Sequence, residues 1–553
     1  MKAGLFFAFA AISASFPASA SLPDRGDLGR EYVRARAAAI YDTPEESARR
    51  FAEVLKAAPG DRATALRLYR EAMLAGNRDL ATRAAAVFAQ GDAVPPEISW
   101  YMLGEAAGKG DWKTAAAWSD RISAEPAFAF VAPVLRAWIG LAAGNPDPIA
   151  LLQANTKGSA PSPYVAEHRA WLLLAMKNTE EGTNAIRSLI GAPGGRNARL
   201  QLGGAARLVQ LGKRDEALAL LDGSAGAIAT ARARVKAGGT LPGAIDTPAA
   251  GIAELMIRLG ADLGREQPNP VALGLARMAT FLDPGNAETW VVAGEMLAGL
   301  KETDLAVAAY DHVSTEDPLY DLVRASRLQV LARGGDQQIA LAEAEKAAAR
   351  PNAIIADHAV VGDILASLGR HRDAAVAYGR ALALAEAAQP PRDDLWTYFL
   401  MRGGAYEQAG EWSAAKSDLE RAVALAPDQP VALNYLGYAQ LDRRENVAAA
   451  TRLVEKASAL DPQNAAITDS LGWAYYLSGN LPAAIGKLET AAVGEPADPS
   501  INEHLGDAYW TAGRRLEARY AWRAALVYAE DDVAARLRQK IDSGLTAPPT
   551  ARK

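Results

Sequence analysis

Asn434-Tyr-Leu-Gly-Tyr438, Asp469-Ser-Leu-Gly-Trp473 and Glu503-His-Leu-Gly-Asp507 repeat one short phrase three times in the last third of the chain. Aligned on its small residue, the register runs through Gly260, Gly294, Leu328, Gly362, Gly403, Gly437, Gly472 and Gly506 at intervals of 34, 34, 34, 41, 34, 35 and 34 residues. A fixed period of that length marks an array of two-helix units, each able to bury its apolar face only against its neighbours. Composition agrees with helices. The 553 residues are 50% hydrophobic but only 7% aromatic, and alanine, which loses no side-chain entropy in a helix, supplies much of the difference. Proline pairs at Asp283-Pro284, Ala426-Pro427 and Asp461-Pro462 fall where a helix must stop.

Within a unit the residue types follow a rule. One unit carries Leu471, Gly472, Tyr475, Ala484, Leu488, Ala491 and Pro496, and another carries Trp290, Ala293, Gly294, Leu297, Ala306, Tyr310 and Pro318. Gly472 and Ala484 let two helices approach closely while large apolar residues fill the space around them. This pattern resembles the tetratricopeptide repeat (TPR). The resemblance implies an all-α fold: a tetratricopeptide-type helical-repeat solenoid, a right-handed superhelix of helix-turn-helix pairs. The chain also resembles a group of exported alphaproteobacterial TPR proteins of the cell envelope. That likeness is clearest from Asp246-Thr-Pro-Ala-Ala-Gly251 to Asp542-Ser-Gly-Leu545, including Asp507-Ala-Tyr-Trp510. A lipid-anchored class of relatives acts as an adaptor for a C-terminal processing protease.

The organisation follows from where the pattern holds. Lys2, the apolar run Ala3 to Phe16, and small residues at Ala18 and Ala20 read as a secretory signal peptide over 1–20, cut after Ala20. Ser21 then stands where a lipoprotein would carry cysteine, so no lipid anchor is expected, and the apolar run is too short to span a membrane. The mature chain is expected in the periplasm. Degenerate helical repeats are expected over 25–222, with one fair unit at Trp100, Leu103, Gly104, Ala107 and Ala116. An irregular, glycine-bearing junction covers 223–247, eight TPR-like repeats cover 248–531, a closing helix 532–545 and a disordered tail 546–553. The 41-residue interval holds a longer second helix and an insertion at Gln389-Pro390-Pro391.

Chemistry is hard to find in this sequence. Cysteine is absent, which removes disulfides, thiolate metal sites and cysteine nucleophiles. His168, His312, His358, His371 and His504 are scattered, and none forms the i, i+4 pair that puts two imidazoles on one helix face. No Gly-x-Ser-x-Gly elbow or phosphate-binding Gly-x-x-x-x-Gly-Lys-Ser/Thr loop occurs, and Gly108-Lys-Gly-Asp-Trp-Lys-Thr114 reads as a turn between two helices. The net charge of −6 argues against a nucleic-acid surface. The expectation is a protein without catalysis, metal or cofactor.

Binding is the remaining class. At about 100° per residue, positions 2, 5, 9 and 12 of each first helix share a face, which in TPR proteins lines the concave groove. Across the eight repeats those positions hold Glu254, Glu288, Glu295, Asp363, Glu407, Asp469, Glu503 and Asp507, but no lysine or arginine. Towards the C-terminus the same face adds Asn434, Tyr438, Trp473, Tyr476 and Trp510. The candidate partner-binding groove is therefore Asn434, Tyr438, Asp469, Trp473, Tyr476, Glu503, Asp507 and Trp510. It suits cationic or amide-rich segments of other envelope proteins, or extended peptides. The plain alternative has the acids keep a long solenoid soluble while Trp473 and Trp510 pack under the next repeat. Rival readings are a cell-wall-active hydrolase, with acids clustered in one pocket, and a self-assembling structural repeat protein.

Overall fold

The computed structural model describes residues 25–545 apart from short breaks at 42, 90–92, 154–161, 192–195, 224–225, 266–268, 352, 389–391 and 393. The expected signal peptide at 1–20, Ser21, the insertion Gln389-Pro390-Pro391 and the tail at 546–553 lie outside the described residues. Those residues form thirty α-helices and one short 3₁₀ turn, and no strand occurs among them. The chain divides into two compact units, 1–323 and 324–553. The expected junction at 223–247 lies inside the first unit, and the division falls within a helix, Tyr320–Arg333.

The first unit begins with α1 (Arg25–Tyr41), α2 (Pro44–Ala57), α3 (Arg62–Ala75), α4 (Arg78–Ala86), α5 (Pro96–Gly108), α6 (Trp112–Ala124), α7 (Ala132–Ala142) and α8 (Pro148–Gln153). It continues with α9 (Pro163–Ala175), α10 (Thr179–Leu189), α11 (Asn197–Gln210), α12 (Arg214–Leu220) and α13 (Gly226–Lys236). Then come α14 (Pro248–Gly264), α15 (Pro270–Leu282), α16 (Ala287–Gly299) and α17 (Thr303–Tyr310). After α18 (Tyr320–Arg333), at the division, come α19 (Gln337–Ala348), α20 (Ile355–Ser367), α21 (His371–Ala387), α22 (Leu395–Gln408), α23 (Trp412–Leu425) and α24 (Pro430–Asp442). The second unit ends with α25 (Val447–Leu460), α26 (Ala465–Leu477), α27 (Leu481–Gly494), α28 (Pro499–Thr511), α29 (Arg515–Tyr528) and α30 (Asp531–Ser543).

Local chemistry sets the helix ends. Side chains of Asp61, Asn77, Asp111, Thr247, Asn286, Asn464, Asn480 and Asp498 accept from the free N–H groups of the first turn. Between the two helices of a pair one residue takes a left-handed conformation, and it keeps the repeat register: Lys301, Gly335, Gly369, Gly410, Arg444, Gly479 and Gly513. Small residues set the packing. A β-carbon on Gly472 would lie 2.7 Å from Leu488, and one on Gly506 would lie 2.3 Å from Trp522.

In the first unit, helices α14 and α15 pack against α3, α5, α7 and α9, the first helices of the preceding pairs. The fit depends on glycine: a β-carbon on Gly104 of α5 would collide with Met278 of α15, and one on Gly251 of α14 with Trp138 of α7. The shared face of those first helices is thus covered by the unit's own chain. A charged cluster fixes the register of this contact. Arg196 bonds Glu167 of α9 at 3.0 Å, Glu254 of α14 at 2.7 Å, and Glu288 of α16. Arg199 of α11 bonds Glu254 at 2.7 Å and Glu288 at 2.9 Å, and Arg258 bonds Glu167. Three guanidiniums and three carboxylates therefore balance in a site where Glu254 is fully buried.

Candidate functional site

In the second unit α22, α24, α26 and α28 lie side by side and present one face, the face of helix positions 2, 5, 9 and 12. The residues expected there separate into three groups.

Asn434, Tyr438 and Asp469 line an open pocket of about 460 Å³. Glu407 and Gln408 of α22, Tyr435, Asp442 and Arg443 at the end of α24, Ser470 of α26, and Asp498 and Ser500 at the start of α28 complete its wall. The position rule reaches Glu407 but misses most of the others, because Asp442 and Arg443 sit past its last position and Asp498 is an N-cap. The cap motif Asp498-Pro499 is the one sequence signal that places a carboxylate at that rim. Burial first, and then the nearby Asp469 charge, push the Tyr438 phenol up to about 12.

Trp473 and Tyr476 stand behind this pocket. Their rings stack 4.8 Å apart, Trp473 also stacks on the His504 imidazole at 4.2 Å, and the buried Tyr476 shares a hydrogen bond with Thr511. His504 Nδ1 lies 2.9 Å from Asp469 Oδ2. Burial lowers the His504 pKa, but the charge and hydrogen bond of Asp469, with Asp507 and Glu503 behind, carry it above the ordinary imidazole value.

Glu503, Asp507 and Trp510 are covered by α30 and do not face a groove. Arg536 holds Glu503 with two bonds of 2.8 and 2.7 Å, and Lys540 bonds Glu503 at 2.7 Å and Asp507 at 2.8 and 2.7 Å. Against its burial, these two cations hold the Glu503 carboxyl down at about 2. In Asp507 burial prevails over Lys540 and the Trp522 indole N–H, and the pKa rises. Trp510 packs between Trp522, the Arg515 guanidinium 3.9 Å from its ring, and Gly544 and Leu545 after α30.

The acidic face read from the sequence therefore has internal counter-groups. Glu254 and Glu288 meet Arg196 and Arg199, Glu407 meets Arg443 at 2.6 Å, and Asp363 accepts from Tyr378 and Gln329. Glu295 is half-buried, and burial and then Glu288 raise its pKa. The counted positions hold no lysine or arginine because the cations lie at the start of α11, on α30, or two residues past the last counted position of α24.

Thirty-four-residue helix pairs packed through glycine define a repeat class, and one comparison names it. Over 78 residues the chain is 38% identical to TPR repeat-containing protein PA4667 of Pseudomonas aeruginosa. The fold is an all-α, tetratricopeptide-type helical-repeat fold. The match covers 14% of this chain and 13% of that relative. Among solved structures, the chain is similar to the APC/C hetero-tetramer Cut9–Hcn1 at 15% identity and a TM-score of 0.39, over 87% of this chain and 96% of that one. It is also similar to YrrB, described as a TPR protein with an unusual peptide-binding site, at 17% identity and a TM-score of 0.27, over 35% and 97% of the two chains. No family profile matches the chain.

Proposed function

We propose that this chain is a non-catalytic periplasmic scaffold that holds segments of other cell-envelope proteins in the pocket bounded by Asn434, Tyr438 and Asp469. The observation that carries this reading is a contrast between the units. In the first, α14 and α15 cover the face of the preceding helices, and the pocket of about 490 Å³ beside Ala261, Gly264 and Glu295 is lined largely by apolar side chains; in the second, the face between α22 and α28 keeps an open pocket of about 460 Å³ lined by two tyrosines and many polar side chains. A pocket of that size, with a tyrosine wall and several polar groups, suits a few side chains of an extended segment. The periplasmic location rests on Lys2, the apolar run to Phe16 and the small residues Ala18 and Ala20.

The test is in-cell crosslinking and affinity capture of the tagged full chain beside Ser500→Arg. Ser500 is exposed at the pocket rim, so an arginine there fills the cavity without entering the core. A set of envelope proteins captured by the wild type and lost from a normally melting variant is the expected result. An identical set from both sinks the pocket as the binding surface, and a cytoplasmic pool in fractionated cells sinks the location.

A further inference from the structure

We propose that the anchor of the segment held in this pocket is a lysine or arginine side chain; the proposal rests on the protein-binding reading and names its ligand chemistry. Three observations converge. The first is charge: Glu407, Asp442, Asp469 and Asp498 face the pocket against one guanidinium, Arg443, which is taken up by Glu407, Asp442, the Ala439 carbonyl and the Trp412 ring, and against the His504 imidazole, which meets Asp469.

The second is hydrogen-bonding capacity. Several donors of the wall are spent internally: the Gln408 amide on Glu407, the Ser470 hydroxyl on the Ala466 carbonyl, and Arg443 as above. Acceptors remain as well. Asn434 Oδ1 is shielded from solvent and accepts no hydrogen bond, and each carboxylate keeps lone pairs beyond its present contact. N–H groups and positive charge suit the carboxylates and Asn434 Oδ1, and a lysine or arginine on a peptide backbone brings both, whereas an acidic or apolar residue does not.

The third is a precedent within the same unit. Next to the pocket, Glu503 and Asp507, one helical turn apart on α28, hold Arg536 and Lys540, one turn apart on α30. The face thus already binds cationic side chains wherever its own chain supplies them. The pocket is the adjoining stretch of that face, where its four carboxylates meet Arg443 and, at Asp469, the His504 imidazole.

The experiment titrates the full chain with four blocked nonapeptides of glycine and serine bearing a central lysine, arginine, norleucine or glutamate, read by saturation-transfer NMR. The lysine and arginine peptides should bind at least tenfold more tightly than the norleucine peptide, and binding should weaken as salt is raised. The double variant Asp442→Asn/Asp498→Asn removes two pocket charges while keeping a capping side chain at 498, and should erase the preference. Asn434→Leu should weaken the lysine and norleucine peptides alike. Equal or tighter binding of the norleucine or glutamate peptide, or a preference that survives the double variant, overturns the cationic anchor but leaves the scaffold reading in place. No binding by any peptide, together with unchanged protein capture by Ser500→Arg, overturns both.

Discussion

His504 links the pocket to the cap at the scale of a single side chain. It touches Asp469 and Trp473 of α26 and lies near Tyr438 of α24, with Glu503 and Asp507 on its own helix and Arg536 and Lys540 facing them from α30. Its folded pKa is raised, so the fold prefers the imidazolium. That stabilisation is fully present below the unfolded value near 6.5 and fades as pH rises through the higher folded value. The melting-temperature advantage of the wild type over His504→Gln should therefore shrink as pH rises above about 6.5. His168 works in the opposite direction: burial lowers its pKa to about 3, so it stays neutral in the fold, accepting from the Trp138 indole, and its contribution grows as pH rises through the unfolded value near 6.5. Two glycines make a second contrast. Gly506→Ala drives a β-carbon into the fully buried Trp522, held in place by its bond to Asp507, and should cost about 1–3 kcal/mol in a urea titration. Gly486→Ala, with no heavy atom within 4 Å on the exposed side of α27, should stabilise by about 0.5–1 kcal/mol.

The helix pair is the element on which the chain is built, and its weakest joint is the left-handed residue between the two helices. Five of the seven positions in register from 301 to 513 are glycine; Lys301 and Arg444 are not, and their φ values of 65° and 54° strain a side-chain-bearing residue. Lys301 is exposed, so Lys301→Gly should gain about 1 kcal/mol, measured as an upward shift in the denaturant midpoint. The pair itself was legible in the sequence, because a 34-residue spacing and a glycine contact are properties of neighbouring residues. The site was legible only in part. Asn434, Tyr438 and Asp469 stand where the face rule puts them, while Asp507 and Trp510 obey the same rule but Asp507 is buried under α30 and Trp510 half-buried beside its end. Nothing in the period announces that cover, since the decisive bonds join residues 33 and 37 positions apart in a helix outside the repeat.

On the scale of the molecule, long-range contacts decide what stays open. Arg277 of α15 donates to the Leu74 carbonyl of α3 from 203 residues away, and Arg196 reaches Glu288 across 92. Periodicity carries no information about such distances, which is why the covered face of the first unit could not be read in advance. Glu254→Ala leaves Arg196 and Arg199 buried with too little negative charge and should cost about 3–5 kcal/mol, seen as a lower unfolding midpoint. Native-state hydrogen exchange should find α14 and α15 among the slowest segments, because neighbours enclose them, and the outer turns of α22 and α24 faster. The seat of α30 has a consequence for how such a chain can lengthen. Its two cations fit one acid pair, and that pair belongs to the last repeat alone. Copying a middle repeat leaves this lock and key intact, whereas appending a repeat after α29 separates them unless Glu503 and Asp507 are copied as well. The terminal helix thus acts as punctuation: new words can enter the middle of the sentence, but the full stop is written for one final word.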